Sequence, residues 1–76
     1  MATRNIAEAD ICQSVGERIR EYRVSKGWSQ QFLADHSDLS KVHLIAIEKG
    51  RAEPGLLVLK RVATALGVRL RDLVDP

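Results

Sequence analysis

The chain is poor in cysteine, proline and aromatic residues: Cys12 is the one thiol, and Trp28, Tyr22 and Phe32 are the three rings among 76 residues. A single thiol closes no internal disulfide and builds no multi-cysteine metal site. Packing alone must hold the fold, and a reducing cytoplasm is the expected compartment. His36 and His43 have no Cys, Asp or Glu partners at ligand spacing, so neither a metal nor a cofactor is expected. No apolar run approaches the roughly 18 residues of a membrane span, and the N-terminus lacks the apolar centre of a signal peptide. No stretch of alternating polarity is long enough to read as a strand. A broad field of one charge is also missing: 12 basic residues face 10 acidic ones, for a net charge of +2. Any nucleic-acid affinity must therefore come from individually placed residues.

A chain of this size forms one small domain and buries only about 60–65% of the surface its unfolded form exposes. A catalytic pocket of several hundred Å3 would consume much of that core. Ser14, Ser29 and Ser40 read as helix caps, because no general base with an orienting partner can be assigned to any of them. No enzyme and no small-molecule ligand are expected.

What is present is helical periodicity, punctuated by glycine. Ile11, Val15, Ile19 and Tyr22 recur at spacings of four, four and three, one face of a first helix. Its start is Asp10, with Gln13, or Ser14, with Glu17, each a capping-box pair. Gly27 ends it, and residues 1–9 are expected to be a flexible arm. Ser29 caps a second helix, about 30–36, with Phe32 and Leu33 turned inward. After the turn at 37–40, Ser40 caps a third helix, about 41–49, with Leu44 and Ile47 inside. Gly50 stops it. A fourth helix runs from about 55 to 66, burying Leu56, Leu59, Val62, Ala63 and Leu66, and Gly67 stops that one. A fifth, about 69–74, buries Leu70 and Leu73. The expected fold is all-α, a compact five-helix domain over 10–76.

Two helices of seven to nine residues joined by a four-residue turn have helix-turn-helix spacing, over about 29–49. The flanking strings are more specific. Val15-Gly16-Glu17-Arg18-Ile19-Arg20 is followed by Gly27-Trp28-Ser29-Gln30, Leu33-Ala34, Leu39-Ser40, Ile47-Glu48-Lys49-Gly50, Pro54 and Ala63-Thr64-Ala65-Leu66-Gly67-Val68. From about 14 to 74 the chain resembles the lambda-repressor/Cro, or XRE, family of helix-turn-helix DNA-binding domains. Ala34 falls where the two helices of the motif cross, Leu39 plugs the turn into the core, and Trp28 covers the core beneath the first helices.

The resemblance implies a sequence-specific transcriptional regulator that binds duplex DNA as a homodimer, with the third helix in the major groove. Base contacts then fall to Lys41, Val42, His43 and Ala46, with Lys41 suited to guanine and the apolar pair to thymine methyls. Phosphate contacts fall to Gln30, Lys49 and Arg51. It also implies a structural ion pair between Arg23 and Glu48. Leu57, Val58, Val68 and Val74 are the expected dimer surface. Phage-type repressors, restriction-modification controllers and antitoxin-type autoregulators all match this description. Some positions depart from the family's habit. Asp38 stands where glycine is usual, Val42-His43-Leu44-Ile45-Ala46-Ile47 is apolar for a reading helix, Glu53 brings a negative charge near the expected phosphate path, and Arg69 replaces a usual capping serine. The apolar third helix raises an alternative: a protein-interaction module that keeps the fold without base readout.

Overall fold

A computed structural model describes residues 6–75, and the side chains of 10–75. Among the described residues five helices follow one another: α1 (Ile6–Ser25), α2 (Gln30–His36), α3 (Lys41–Glu48), α4 (Leu56–Leu66) and α5 (Leu70–Val74). The first helix packs on α3, α4 and α5, while α2 packs on α3 and α4. Val15, Ile19, Leu33, Ala34, Leu44, Ile47, Leu59, Val62, Ala63, Leu66 and Leu73 form one core.

Each connection from α1 to α4 closes with the same hydrogen-bond pattern, and so does the one from α4 to α5. Trp28, Leu39, Arg51 and Val68 donate backbone N–H groups to the carbonyls of Arg23, Ala34, Ala46 and Ala63, at 2.9–3.1 Å. This six-to-one closure requires a left-handed residue just before the donor. Glycine supplies it at three of the four sites, and Asp38, at φ 57°, supplies it between α2 and α3. Aspartate tolerates that conformation better than most residues because its short polar side chain can bond locally. Three of the four donors then turn inward, Trp28, Leu39 and Val68 packing against the core, while Arg51 is exposed.

Ser37, the last residue of this pattern before Asp38, is 1% exposed, and its hydroxyl has no hydrogen-bond partner among the described residues. Burying an unsatisfied hydroxyl costs about 1–3 kcal/mol. Ser37→Ala removes that cost and leaves only a hydroxyl-sized void. The substitution should raise stability by about 1 kcal/mol, a gain of about 4–8 °C in melting temperature for a domain this small. A scan showing an unchanged or lower melting temperature would mean that the hydroxyl is satisfied in solution.

Several expectations about facing are corrected. Helix α1 already includes Ile6, ahead of both proposed capping boxes, and Ala7, Glu8 and Ala9 are good helix formers. Residues 6–9 are therefore helical rather than part of an arm, while residues 1–5 lie outside the described residues. Ile11 is 59% exposed, and its neighbour Cys12 is buried in its place. Leu56 is exposed because it begins α4 beyond the edge of the core, and Leu70 is only half-buried.

Phe32 also points outward, at 41% exposure. It stacks instead on His36, with ring centroids 4.1 Å apart, and against Trp28 at 4.7 Å. Trp28 is half-buried, under the cation of Lys26 at 5.2 Å. Phe32 and His36 lie four apart on α2, one above the other, and Trp28, just before the N-cap, extends the strip through its ring contacts with both.

Candidate nucleic-acid interface

The position of α3 is fixed from its inner side. Gly16 lets α1 approach the end of α3 closely: a Cβ there would sit well inside contact distance of the Ile47 carbonyl oxygen and 2.7 Å from that of Glu48. Ala34 of α2 is fully buried, and α2 also packs on α3. Leu44 and Ile47 anchor the helix in the core.

Glu48 completes the attachment with charge. Its side chain is 2% exposed, and Arg23 binds it through two parallel contacts, Nε to Oε2 at 2.7 Å and Nη2 to Oε1 at 3.0 Å. The fork geometry of a guanidinium makes this pairing strong and directional. Arg23 also donates Nη1 to the Trp28 carbonyl at 2.8 Å, and Gln30 donates Nε2 to Glu48 Oε1 at 3.2 Å. The Arg23–Glu48 pair thus joins α1, the α1–α2 turn, the first residue of α2 and the last residue of α3.

The outer side of α3 is open. Ser40 caps it, its Oγ accepting from the His43 N–H at 3.0 Å, as Ser29 caps α2 by accepting from the Phe32 N–H at 3.0 Å. Lys41 is exposed, and Val42, at 78%, is the most exposed large apolar side chain described. His43, Ile45 and Ala46 are half-buried, so the helix presents its first turn more fully than its middle. Lys49 and Arg51 follow it, both exposed. No ion pair among the described residues engages Lys41, Lys49 or Arg51, so their charges remain available. Exposed Glu53 lies in the next loop, a local negative charge among these cations.

Of the residues expected at a DNA surface, Lys41, Val42, Lys49 and Arg51 are exposed around α3, while Gln30 is turned toward Glu48. The contact from Gln30 to Glu48 was not visible in the sequence, because nothing in a spacing of 18 residues signals it. The expected dimer residues do not form a uniform patch. Leu57 is 72% exposed and Val74 42%, whereas Val58 and Val68 are half-buried against the core. Val74 instead borders a shallow apolar groove with Ile11, Cys12, Pro54 and Leu59.

The helix-turn-helix family model HTH_3 matches residues 19–73. The chain belongs to this family. Within the helix-turn-helix family, it is 35% identical over 69 residues to a hypothetical transcription factor of Neisseria meningitidis, covering 91% of this chain and 65% of that one. It is 34% identical over 62 residues to the transcriptional regulator SinR of Bacillus subtilis, covering 80% of this chain and 56% of SinR. The chain thus spans under two thirds of the length of these two relatives. Its fold superposes on the restriction-modification controller protein C.AhdI of Aeromonas hydrophila with a TM-score of 0.80, at 37% identity over 86% of this chain and 97% of that one. A crystal structure of SinR in complex with DNA superposes with a TM-score of 0.77, at 34% identity over 80% of this chain and 98% of that one. No described helix is long and apolar enough to cross a membrane.

Proposed function

We propose that this helix-turn-helix domain is a transcriptional regulator that binds duplex DNA sequence-specifically in the cytoplasm, as a homodimer with α3 in the major groove, and that it is not an enzyme. One observation carries the reading. Helix α3 is buried and cross-linked along one side through Leu44, Ile47 and Glu48, while its capped first turn stands open with Lys41 and Val42 exposed. A helix held this rigidly can be carried into a groove without reordering, which is what direct readout needs. Lys41 suits guanine O6 and N7, and Val42 and Ala46 suit thymine methyls. His43 is half-buried beside them and reaches a base edge or a phosphate. Lys49 and Arg51 neutralise phosphate, Gln30 donates to it from the start of α2, and the free N–H groups at the helix starts add donors.

One domain reads few base pairs, so two copies are needed to span half-sites one helical turn apart. Leu57 and Val74 are the members of the expected dimer surface with most apolar area to bury, and exposed Ile11 and Leu56 extend it. Val58 and Val68 contribute from beneath, through their packing on the core.

Selection from a random duplex pool tests this reading. The expected product is an inverted repeat with half-sites about 10 base pairs apart. With about six to eight phosphates contacted per dimer, log affinity should fall with log salt at a slope of roughly −5 to −7. Lys41→Ala should then cost about 1–3 kcal/mol on the selected site and relax the preference for guanine. A second reading, a protein surface as the target of α3, is favoured by the 78% exposure of Val42. It replaces the first if no sequence is enriched and binding stays weak at every sequence.

A further inference from the structure

We infer that Glu48 is a positioning residue for DNA binding: it holds the Gln30 amide in the one orientation that can donate to phosphate. This rests on the DNA-binding reading above and assigns a role to a residue that touches no DNA in it.

An amide side chain can present either its oxygen or its nitrogen, and only the nitrogen face can bond a phosphate oxygen. Left free, the Gln30 amide samples both orientations, and with its oxygen outward it repels the phosphate. Glu48 removes the ambiguity. A carboxylate paired with a guanidinium is ionised and can only accept, so the group facing it must be the amide nitrogen, and Gln30 Nε2 lies 3.2 Å from Glu48 Oε1. One N–H of that nitrogen is spent inward, and the other remains to be given to phosphate. Gln30 is the first residue of α2, so the amide fixed by Glu48 stands at the edge of the surface that α3 presents.

The same geometry explains why a buried carboxylate beside a phosphate-binding residue does no harm. Arg23 neutralises Glu48 with two contacts and is itself held by the Trp28 carbonyl, so Glu48 orients Gln30 without offering a net negative field. The residue that fixes the far end of α3 thus also sets the side chain at the start of α2. Both parts of the DNA surface are preorganised by one buried group, and the ordering cost falls on folding rather than on binding.

A double-mutant cycle measured on the selected duplex tests this, using wild type, Gln30→Ala, Glu48→Gln and the double variant. Glu48→Gln adds one unit of positive charge in both backgrounds, so its general electrostatic effect cancels from the cycle. The positioning role predicts that Gln30→Ala weakens binding, and that Glu48→Gln costs about 3- to 10-fold more affinity with Gln30 present than in the Gln30→Ala background. In the DNA-free protein, the side-chain amide proton signals of Gln30 should be resolved in wild type and shift toward the values of a free glutamine in Glu48→Gln. If Glu48→Gln does not fold, Glu48→Asp keeps the charge beside Arg23, withdraws the acceptor by a methylene and should show the same coupling. Equal losses in both backgrounds, or no effect of Gln30→Ala, overturn the positioning role while the DNA-binding reading stands. Failure of wild type to select any sequence overturns both.

Discussion

Gly16→Ala is expected to destabilise the domain by about 3 kcal/mol and lower its melting temperature by roughly 12–24 °C. Two effects oppose each other here. Gly16 lies inside α1, where alanine would ordinarily add about 0.5–1 kcal/mol of helix stability. Against this, the new methyl would press on the carbonyl oxygens of Ile47 and Glu48 and lie 2.9 Å from the Glu48 carbonyl carbon. All three atoms are backbone, so no side chain can rotate out of the way. The helices must separate, which loosens Ile47 and the Arg23–Glu48 pair together. Overpacking of a tight interior costs about 1–3 kcal/mol, occasionally more, and a backbone obstacle belongs at the upper end. A domain of this length has only about 4–11 kcal/mol in total, so the loss is a large share. Thermal unfolding decides the matter. A melting temperature at or above that of wild type would mean that helix propensity wins and the approach of α1 to α3 is looser than described.

Arg23→Met should be as damaging for a different reason. It leaves the Glu48 carboxylate buried with the Gln30 amide as its remaining donor, and breaking a buried pair from one side costs about 3–5 kcal/mol. The diagnostic comparison is with Arg23→Met/Glu48→Leu, in which both charges give way to apolar groups of similar size. Such replacements are often neutral or stabilising, because two desolvation costs disappear with the attraction. Here the Trp28 carbonyl also loses its donor and the Gln30 amide its acceptor, at about 1 kcal/mol each if water does not replace them. The double variant should therefore recover most of the loss and settle within about 2 kcal/mol of wild type. Urea unfolding of the three proteins measures this. A double variant no better than Arg23→Met would mean that the pair contributes a large net stability rather than an orientation.

Much of the fold was legible because it depends on neighbours in the chain. The caps at Ser29 and Ser40 bond N–H groups three residues on, and the left-handed positions at Gly27, Gly50 and Gly67 need only a residue without a Cβ. Inward positions near the centres of α1, α3 and α4, such as Ile19, Leu44 and Val62, were also legible. A helix has one apolar stripe, and its middle cannot escape the core.

The misread positions lie at element ends and edges. Ile11 and Leu56 continue an apolar stripe beyond the last residue that packs against it, and Phe32 flanks Leu33 on a helix only two turns long. Periodicity reports which side of a helix is apolar, not how far the opposing layer extends. The site divided in the same way. Lys41, Val42, Lys49 and Arg51 could be placed on α3 or just past it by counting, whereas the inward turn of Gln30 could not.

Five helices, their stops, the motif at 29–49 and the stripe that buries them are readable from the chain alone, since all of these follow from residues within a few positions of one another. Packing of the helices against one another sets the rest: why Gly16 must be glycine, why Cys12 is buried and Ile11 is not, and where the Gln30 amide points. Each of these depends on an atom contributed from far along the chain. Gly16 meets the carbonyls of Ile47 and Glu48, and Gln30 meets the carboxylate of Glu48. Local propensity is additive along the sequence, but steric exclusion and charge pairing act between surfaces that exist only once the helices have been laid against each other.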